Sequence, residues 1–300
     1  MRAVVTGGAG FIGSNLVDAL VARGDEVVVV DDLSSGRREH VHPAATFLEA
    51  DVRDGFDATG ADVVFHLAAQ ADVQTSMRQP DLDASVNVVG TVRALEAAQA
   101  AGAQVVFAST GGAIYGECDG PAAEDSRLEP LSPYGIAKLC GEEYVRGFGR
   151  MFGVGHVTLR LANVYGPRQA ASLEGGVVSI FLERMRRGEP TTIFGDGLQT
   201  RDFVYVGDVV AAALAAAGRP GGTFNVGTGI ETTVLELHRL CAAVAGVEDA
   251  PAFAPARSGD VRRSVLAVSR AIDGLGWRPS TPLRDGLRRT WDWLAGSAQD

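Results

Sequence analysis

A glycine-rich turn near the start of the chain, TGGAGFIGS at residues 6–14, constrains the fold more than any other feature. An apolar run, Ala3 to Val5, precedes the turn, and a helical pattern of apolar residues follows it. Glycines let the backbone bend tightly and approach a ligand closely, and the free N–H groups of a helix start point at an anion. The stretch therefore predicts a strand, a phosphate-binding turn and a helix. For the motif alone, a tight turn without a ligand is the alternative.

A second apolar strand, Glu26 to Val30, ends in Asp31, about 20 residues after the glycines. That is the distance at which a dinucleotide-binding fold holds the adenosine ribose. The Asp31 carboxylate would accept hydrogen bonds from both ribose hydroxyls and would repel the 2′-phosphate of NADP. Turn, strand and spacing together predict NAD rather than NADP, whereas Asp31 alone could be a solvated carboxylate at a strand end.

Strand and helix patterns alternate through the first half of the chain. Apolar strands are predicted over 46–50, 62–67, 104–108 and 157–161, and helices over 84–100 and 133–152. Near-continuous apolar strands separated by helices are typical of a parallel sheet covered on both faces. We therefore expect an α/β fold with a doubly wound, Rossmann-like parallel sheet, whose ligands bind at the carboxyl ends of the strands.

The second half of the chain is less regular. Helices are predicted over 177–187, 235–245 and 283–294, with short strands near Ile193 and Phe224. We expect residues 1–163 to form an NAD-binding domain, to which segments near 201–230 return. Residues 164–300 are expected to form a smaller C-terminal lobe that closes over the edge of the sheet.

Composition and charge exclude several classes of partner. The formal net charge is −10 and the chain has no basic run, so we expect no binding to nucleic acid. No apolar run approaches the length of a membrane span, and the chain begins directly with a predicted strand, so we expect neither a membrane segment nor a signal peptide. The cysteines, Cys118, Cys140 and Cys241, show neither metal-ligand spacing nor a disulfide framework, which predicts reduced thiols in a cytoplasmic protein without a metal.

Four side chains that could carry chemistry follow the fifth strand. Ser109 and Thr110 come directly after it, and Tyr134 and Lys138 lie four residues apart near a helix start, which places them on one helix face. An ammonium beside a phenol lowers the tyrosine pKa, and a nicotinamide cation would lower it further. A phenolate poised near neutral pH can remove an alcohol proton during hydride transfer. A Tyr-x-x-x-Lys pair alone also occurs by chance on surfaces, but the nucleotide-binding turn and the strand-end hydroxyls favour a catalytic pair.

Together these motifs resemble the extended short-chain dehydrogenase/reductases, most closely the UDP-glucose 4-epimerase group. The matching stretches span residues 1 to about 270. They are TGGAGFIGS, DDLSSG, DVRD, HLAAQ, FASTGGAIYGE, SPYGIAK, RLANVYGPRQ, IFGDGLQTRDFVYVGDV and ARSGD.

The resemblance implies that NAD is bound by the glycine turn, the end of the second strand and two later loops. The residues implied are Gly7, Gly10, Phe11, Ile12, Asp31, Leu33, Ser35, Gly36, Asp51, Val52, Leu67, Ala68, Ala69 and Gln70, together with Tyr134 and Lys138. Tyr134 and Lys138 match the family's catalytic pair outright.

The strand-end motif departs from the commonest family form because it is one residue longer. Counting from the strand gives Thr110 as the catalytic hydroxyl, whereas counting back from Tyr115 gives Gly111, which has no hydroxyl. We therefore expect Thr110 to be catalytic, with Ser109 as the second choice. Either residue would also contact the substrate.

On the substrate side the resemblance implies a UDP-hexose held through its diphosphate and ribose. Asn163, Arg201 and Arg257 match diphosphate-binding positions, and forked guanidinium groups suit that charge. Asp260 matches an acid that binds the uridine ribose. Ser264 matches a position that limits the size of the sugar pocket, and its small side chain suggests that an N-acetyl group is tolerated.

The reaction implied is 4-epimerisation of UDP-glucose and UDP-galactose through a transient 4-keto sugar, in a homodimer that keeps its NAD. Related dehydratases and decarboxylases carry an acid beside the strand-end hydroxyl, where this chain has Gly111, Gly112 and Ala113. Another nucleotide-sugar epimerase or a dehydratase, acting on UDP-glucuronate, UDP-N-acetylglucosamine or a dTDP-sugar, is the alternative. A non-catalytic NAD-sensing protein is a third reading, disfavoured because Tyr134 and Lys138 are both present.

Overall fold

Strands and helices alternate regularly in the first half of the chain and become shorter and more mixed in the second. The computed structural model describes residues 1–170, 176–256 and 261–296. The strands are β1 (Arg2–Thr6), β2 (Glu26–Asp31), β3 (Thr46–Glu49), β4 (Val63–His66), β5 (Gln104–Thr110), β6 (Val157–Leu161), β7 (Asn163–Tyr165), β8 (Thr192–Phe194), β9 (Thr200–Arg201), β10 (Phe203–Tyr205), β11 (Gly222–Val226), β12 (Thr232–Thr233), β13 (Ala252–Ala254) and β14 (Arg263–Ser264). The helices are α1 (Phe11–Ala22), α2 (Val73–Arg78), α3 (Pro80–Ala84), α4 (Gly90–Ala101), α5 (Pro133–Phe152), α6 (Val177–Arg186), α7 (Val206–Ala216), α8 (Val234–Ala245), α9 (Ser269–Leu275) and α10 (Leu283–Gly296).

The longer strands form one seven-stranded sheet in the order β11-β6-β5-β4-β1-β2-β3, and all of its pairs are parallel. Successive strand residues point to opposite faces. Val5 and Phe65 therefore pack into a core shared with α1 and α7, and Val4 and Val64 pack into a core shared with α4 and α5. The predicted α/β fold with a doubly wound parallel sheet is confirmed.

One segment of the second half returns to this sheet. Strand β11 pairs with β6 at the sheet edge, and the α7 residues Val209 and Val210 pack in the same core as Leu16 of α1. A separate apolar core joins α6, α8 and α10 through Phe181, Leu237 and other residues. The division into a domain at 1–163 and a lobe at 164–300 stays a prediction.

The helix predicted over 84–100 differs from the structure at its start. Pro80 occupies the first turn of α3, and a π-helical turn, Ser85–Val89, joins α3 to α4. The buried polar side chains of Asp83 and Asn87 interrupt the apolar periodicity there, which hid the turn over residues 80–83 and the π-helical geometry that follows it. Strand β5 is also longer than predicted, because its pairing with β6 continues to Thr110. Ser109 and Thr110 are therefore the last residues of the strand and do not follow it.

Two absences concern only the part of the chain that the structure describes. No helix there is both long enough and apolar enough to cross a bilayer. No group of three or more histidine, cysteine or acidic side chains there is arranged to hold a metal ion. The three cysteines are free thiols, and Cys241 is buried.

Candidate active site

A cleft of about 1140 Å³ lies at the carboxyl ends of the sheet strands, as expected for this fold. It runs from the glycine turn past the ends of β2, β4 and β5 to the start of α5. Of the residues predicted to bind the cofactor or substrate, those that line it are Gly7, Gly10, Phe11, Ile12, Asp31, Ser35, Val52, Leu67, Ala68, Ala69, Ser109, Tyr134 and Lys138.

The glycine turn is packed too closely for side chains. Gly7 has a φ of +71°, and a Cβ there would lie 2.6 Å from the backbone nitrogen of Ala68. A Cβ on Gly13 would lie 2.1 Å from the carbonyl oxygen of Gly7. Gly10 forms the N-cap of α1 without a side-chain cap, so the first N–H groups of the helix face the cleft unblocked. This geometry suits a pyrophosphate.

Asp31 anchors the turn as well as facing the cleft. Its Oδ2 accepts a hydrogen bond from the Ala9 N–H at 2.9 Å, and its Oδ1 accepts one from the Leu33 N–H at 2.9 Å. Each carboxylate oxygen keeps a second lone pair for a ribose hydroxyl, so the residue fits an adenosine ribose. Burial raises the pKa of Asp31 above its usual value. Gly36 is required because a Cβ there would lie 2.9 Å from Asp31 Oδ1.

Leu33 and Gly36 shape the loop after β2 and are not among the residues that line the cleft. The same holds for Asp51 and Gln70, whose polar groups are engaged elsewhere. The Asp51 carboxylate accepts hydrogen bonds from the Arg53 backbone and guanidinium. Gln70 Nε2 donates to the carboxylate of Asp83 at 2.8 Å. Binding of the cofactor by these four residues stays a prediction from the resemblance.

The start of α5 positions Tyr134 and Lys138. The Ser132 hydroxyl caps the helix by accepting from the Gly135 N–H at 3.2 Å, and Pro133 follows in the first turn. A Cβ on Gly135 would lie 2.3 Å from the carbonyl oxygen of Ala113, so glycine is needed for the helix to approach the loop after β5. The two catalytic candidates thus face the cleft one helical turn apart.

Tyr134 and Lys138 contact the end of β5 directly. The Thr110 hydroxyl lies close enough to Tyr134 to lower the pKa of its phenol, and Lys138 Nζ donates to the carbonyl oxygen of Ala108 at 2.9 Å. The Lys138 ammonium also lies 4.9 Å from the centroid of the Phe107 ring. The structure therefore brings Thr110, Tyr134 and Lys138 together.

The expectation that Lys138 lowers the pKa of Tyr134 is wrong for the protein alone. Burial, with a smaller contribution from the charge of Asp83, raises the pKa of Tyr134 to about 12, against the hydrogen bond from Thr110. Burial lowers the pKa of Lys138 to about 8, against the charges of Asp83 and Glu142. Desolvation disfavours the charged form of each group and is the largest cause of both shifts. Further positive charge in the cleft is needed before Tyr134 is a good base.

Ser109 and Thr110 are distinguished by their partners. Ser109 lines the cleft, but its hydroxyl donates to Glu142 Oε1 at 2.5 Å. Glu142 is in turn paired with Arg160, with 2.7 Å between Arg160 Nη2 and Glu142 Oε2. Thr110 is 8% exposed and is not among the residues that line the cleft, but its hydroxyl lies close enough to Tyr134 to lower the tyrosine pKa. Neighbouring residues in a strand point to opposite sides of the sheet. The sequence alone does not say which of Ser109 and Thr110 points toward Tyr134, so it could not assign their roles.

The substrate candidates meet on the short strands of the second half. The Asn163 N–H donates to the carbonyl oxygen of Asp202 at 2.9 Å, beside Arg201. Ser264 in β14 pairs with Arg201 in β9, so these two predicted substrate residues are direct neighbours. Arg257 and Asp260 lie outside the described residues.

The positions of Gly111 and Gly112 differ in the space around them. A Cβ on Gly111 would lie 2.5 Å from Leu266 Cδ1, so the buried Leu266 side chain fills that position. A Cβ on Gly112 would lie 3.8 Å from Asn163 Oδ1 and 4.0 Å from Thr110 Oγ1. A side chain would therefore fit without a clash at position 112 but not at position 111. Because residue 112 is glycine, this position supplies no acid or base.

Arg168 is a cleft residue that sequence reasoning missed. It lines the cleft, has a φ of 71°, and lies 2.7 Å from Asp18 Oδ2 through its Nη2. Its Nη1 is buried without a hydrogen-bond partner. A left-handed backbone conformation at a residue other than glycine is strained and concentrates at functional sites. Arg168 lies in the stretch YGPRQ, one of those that resemble the family, and this stretch could have pointed to it.

Comparison with known proteins identifies the relatives of this chain. The family model of the NAD dependent epimerase/dehydratase family matches residues 3–227. A UDP-glucose 4-epimerase of Mycolicibacterium smegmatis is 47% identical over 314 residues, which cover 100% of both chains. The crystal structure of a Thermotoga maritima UDP-glucose 4-epimerase with UDP-glucose has a TM-score of 0.96 at 45% identity and covers 99% of this chain and 100% of that one. A Thermus thermophilus UDP-glucose 4-epimerase in complex with NAD has a TM-score of 0.91 at 42% identity, with coverage of 99% and 100%.

Proposed function

The chain belongs to the NAD-dependent epimerase/dehydratase family, and we propose that it interconverts UDP-glucose and UDP-galactose at C4 through a transient 4-keto sugar. Its full-length likeness to UDP-glucose 4-epimerases makes it an NAD-dependent nucleotide-sugar epimerase, an isomerase. The observation that carries the finer proposal is that Tyr134 and Lys138 line one cleft, with the Thr110 hydroxyl beside Tyr134. This is the arrangement that proton removal from a sugar hydroxyl requires.

In this proposal Tyr134 is the base that takes the proton of the C4 hydroxyl. When bound, NAD⁺ supplies a hydride acceptor and a positive charge in the cleft. That charge offsets the burial that holds the pKa of Tyr134 at about 12. Lys138 supports the phenolate as a neighbouring cation, and Thr110 donates a hydrogen bond to the same oxygen. The proton then returns from Tyr134 when the ketone is reduced on its opposite face.

The substrate lobe acts through binding. From the resemblance, Asn163, Arg201, Arg257 and Asp260 hold the diphosphate and the uridine ribose. Anchoring of the nucleotide keeps the 4-keto sugar in the cleft while it turns about its link to the diphosphate. Binding energy from the non-reacting part of the substrate thus positions the reacting carbon.

Dehydration and decarboxylation are disfavoured by the space beside Thr110. Those reactions need a further acid or base next to the strand-end hydroxyl, according to the resemblance. Leu266 fills the place beside Gly111, and Gly112 faces the site without a side chain. Without a second proton-transfer group there, return of the hydride to C4 is the outcome that these residues favour.

The experiment that tests the proposal is incubation of the purified protein with UDP-glucose and no added NAD. We expect UDP-galactose to appear and to reach a constant ratio to UDP-glucose. If no product forms while the denatured protein releases NAD, the substrate assignment is wrong. The function then moves to an N-acetylated, uronic-acid or non-UDP sugar.

Replacement of the strand-end hydroxyls is expected to separate their roles. Thr110→Val keeps the shape of the side chain and removes the hydroxyl proposed to donate to the Tyr134 phenolate, so kcat should fall about 10- to 100-fold, the equivalent of one hydrogen bond to a charged oxygen. Ser109→Ala should instead lower the melting temperature, because Glu142 loses a buried donor. Equal kcat for Thr110→Val and wild type would contradict the assignment.

We also propose that N-acetylated sugars enter the pocket past Ser264. The residue is small, half-buried, and paired in register with Arg201. Ser264→Tyr should lower turnover of UDP-N-acetylglucosamine relative to UDP-glucose by about tenfold or more, because an added ring overpacks the site by roughly 1–3 kcal/mol. Turnover of the two sugars is compared by product separation. An unchanged ratio would show that Ser264 does not limit the pocket.

A homodimer and a cytoplasmic location complete the proposal. The exposed face of α5 and the turn between α3 and α4 carry apolar side chains, among them Val89 (45% exposed), Ile136 (51%) and Tyr144 (44%). A second copy of the chain would cover them. Light scattering should give twice the chain mass of 31.3 kDa, and the single-chain mass would rule the dimer out. Three free cysteines fit a reducing compartment.

A further inference from the structure

Asp83 is a buried acid that the proposed reaction does not use. Its side chain is 0% exposed in α3. Oδ1 accepts hydrogen bonds from Gln70 Nε2 at 2.8 Å and from Asn87 Nδ2 at 2.9 Å, whereas Oδ2 is buried without a hydrogen-bond partner. A buried carboxylate with an unpaired oxygen is costly unless a positive charge offsets it.

Lys138 is a buried cation on α5, the helix against which α3 packs. It is the only lysine of the chain, since every other cationic residue among its 27 lysines and arginines is an arginine. Its buried ammonium has three donors and makes one hydrogen bond, to Ala108. A lysine can lose its charge when buried, which arginine does not, so its surroundings decide whether it stays charged.

The groups around Lys138 leave Asp83 as its counter-ion. Glu142 also faces Lys138 from α5, but its carboxylate is paired with Arg160 and accepts from Ser109. His66 on β4 is buried and uncharged, because burial and the charge of Lys138 lower its pKa to about 3. Asp83 makes no direct ion pair within the described residues, and its charge acts on both Lys138 and Tyr134.

The geometry points to Asp83 as a positioning residue: the buried counter-charge that keeps Lys138 protonated and so sets the pH range in which Tyr134 and Lys138 work. The charge acts through space, since no hydrogen bond joins the two side chains. A negative charge raises the pKa of every neighbouring group, and Asp83 raises those of Lys138 and Tyr134 alike. Its removal should therefore let both groups lose protons at lower pH.

The single lysine makes the central measurement direct. Protein labelled with ¹³C,¹⁵N-lysine and carrying a lysine-free tag gives one lysine spin system, whose shifts against pH report the titration of Lys138. Wild type should titrate near the value of about 8 that burial produces. In Asp83→Asn, Lys138 should titrate about one pH unit lower than in wild type. The matched control is Asp81→Asn, the same change at an exposed residue of the same helix. In this variant Lys138 should titrate as it does in wild type.

The pH–rate profile of the holoenzyme gives a second readout. Asp83→Asn should shift both limbs of the kcat profile to lower pH, the acid limb through Tyr134 and the alkaline limb through Lys138. A purely structural role would lower kcat without moving either limb. The proposal is overturned if Asp83→Asn shifts neither limb of the kcat profile nor the titration of Lys138.

Stability gives a third readout that does not depend on catalysis. Lys138→Met leaves the Asp83 charge buried without compensation, so its melting temperature at pH 7 should fall below that of wild type. The double variant Asp83→Asn/Lys138→Met should melt above Lys138→Met, because it removes the stranded charge. A double variant that is no more stable than Lys138→Met, or that fails to fold, contradicts the counter-ion role even if Asp83→Asn cannot be purified.

The pH–rate test rests on the proposed function, whereas the lysine titration and the stability cycle do not. If wild type makes no UDP-galactose but the titration shifts in Asp83→Asn, the function fails and the counter-ion stands. If wild type is active and the titration does not shift, the counter-ion fails alone.

Discussion

Tyr134→Phe is expected to lower kcat for conversion of UDP-glucose by roughly 10²- to 10⁴-fold, the range that a positioned acid–base group contributes. Phenylalanine fills the same space but has no oxygen to take the proton of the C4 hydroxyl. Two quantities are measured for each protein: the rate of product formation and the amount of NAD that the protein releases on denaturation. That amount should stay at the wild-type level, because the glycine turn and Asp31 are unchanged.

The matched control is Tyr144→Phe. Tyr144 lies on the same helix but does not line the cleft, so loss of its hydroxyl should leave kcat unchanged. A Tyr134→Phe protein that keeps its NAD and more than about one tenth of wild-type turnover would remove Tyr134 from the role of base.

Gly13→Ala is expected to have the largest effect on the fold. The added Cβ would lie 2.1 Å from the carbonyl oxygen of Gly7 and 2.8 Å from the Cα of Gly8, and both are backbone atoms. Neither can move unless the turn opens, so α1 would separate from β1 at the place where the pyrophosphate binds. We expect a loss of about 3 kcal/mol of unfolding free energy and a protein purified without NAD.

Gly147→Ala is the control for that substitution. It lies in α5, and a Cβ there has no atom within 4 Å. Alanine is the better helix former by about 1 kcal/mol, so the melting temperature should stay or rise and the NAD content should not change. If Gly13→Ala behaves like Gly147→Ala, close packing of the turn is not what holds the cofactor.

The sequence predicted those parts of the site whose pattern lies within one helix, strand or turn. The strand–turn–helix at residues 2–22, the carboxylate at the end of β2, and the Tyr134–Lys138 pair after a proline N-terminus all depend on spacing within one element. The parallel sheet followed from apolar strands of the right length.

The parts that the sequence could not predict depend on contacts between distant segments. The π-helical turn was hidden because Asp83 and Asn87 are polar but buried, a combination that only their partners explain. The different surroundings of Thr110 and Ser109 depend on the direction of each side chain, and the Asp51 carboxylate is paired with Arg53. The pKa of Tyr134 was predicted in the wrong direction because proximity of Lys138 was weighed without the burial of both groups.

The central claim is that a hydride leaves C4 for a bound cofactor and returns to the same carbon. The measurement that tests it most directly is mass spectrometry of the products from UDP-glucose deuterated at C4, incubated in ordinary water without added NAD. We predict UDP-galactose that retains the deuterium at C4, because the label stays on the enclosed cofactor between the two transfers. UDP-galactose that has lost the deuterium to water would contradict the account, because C4 would then exchange a proton with solvent and not a hydride with NAD.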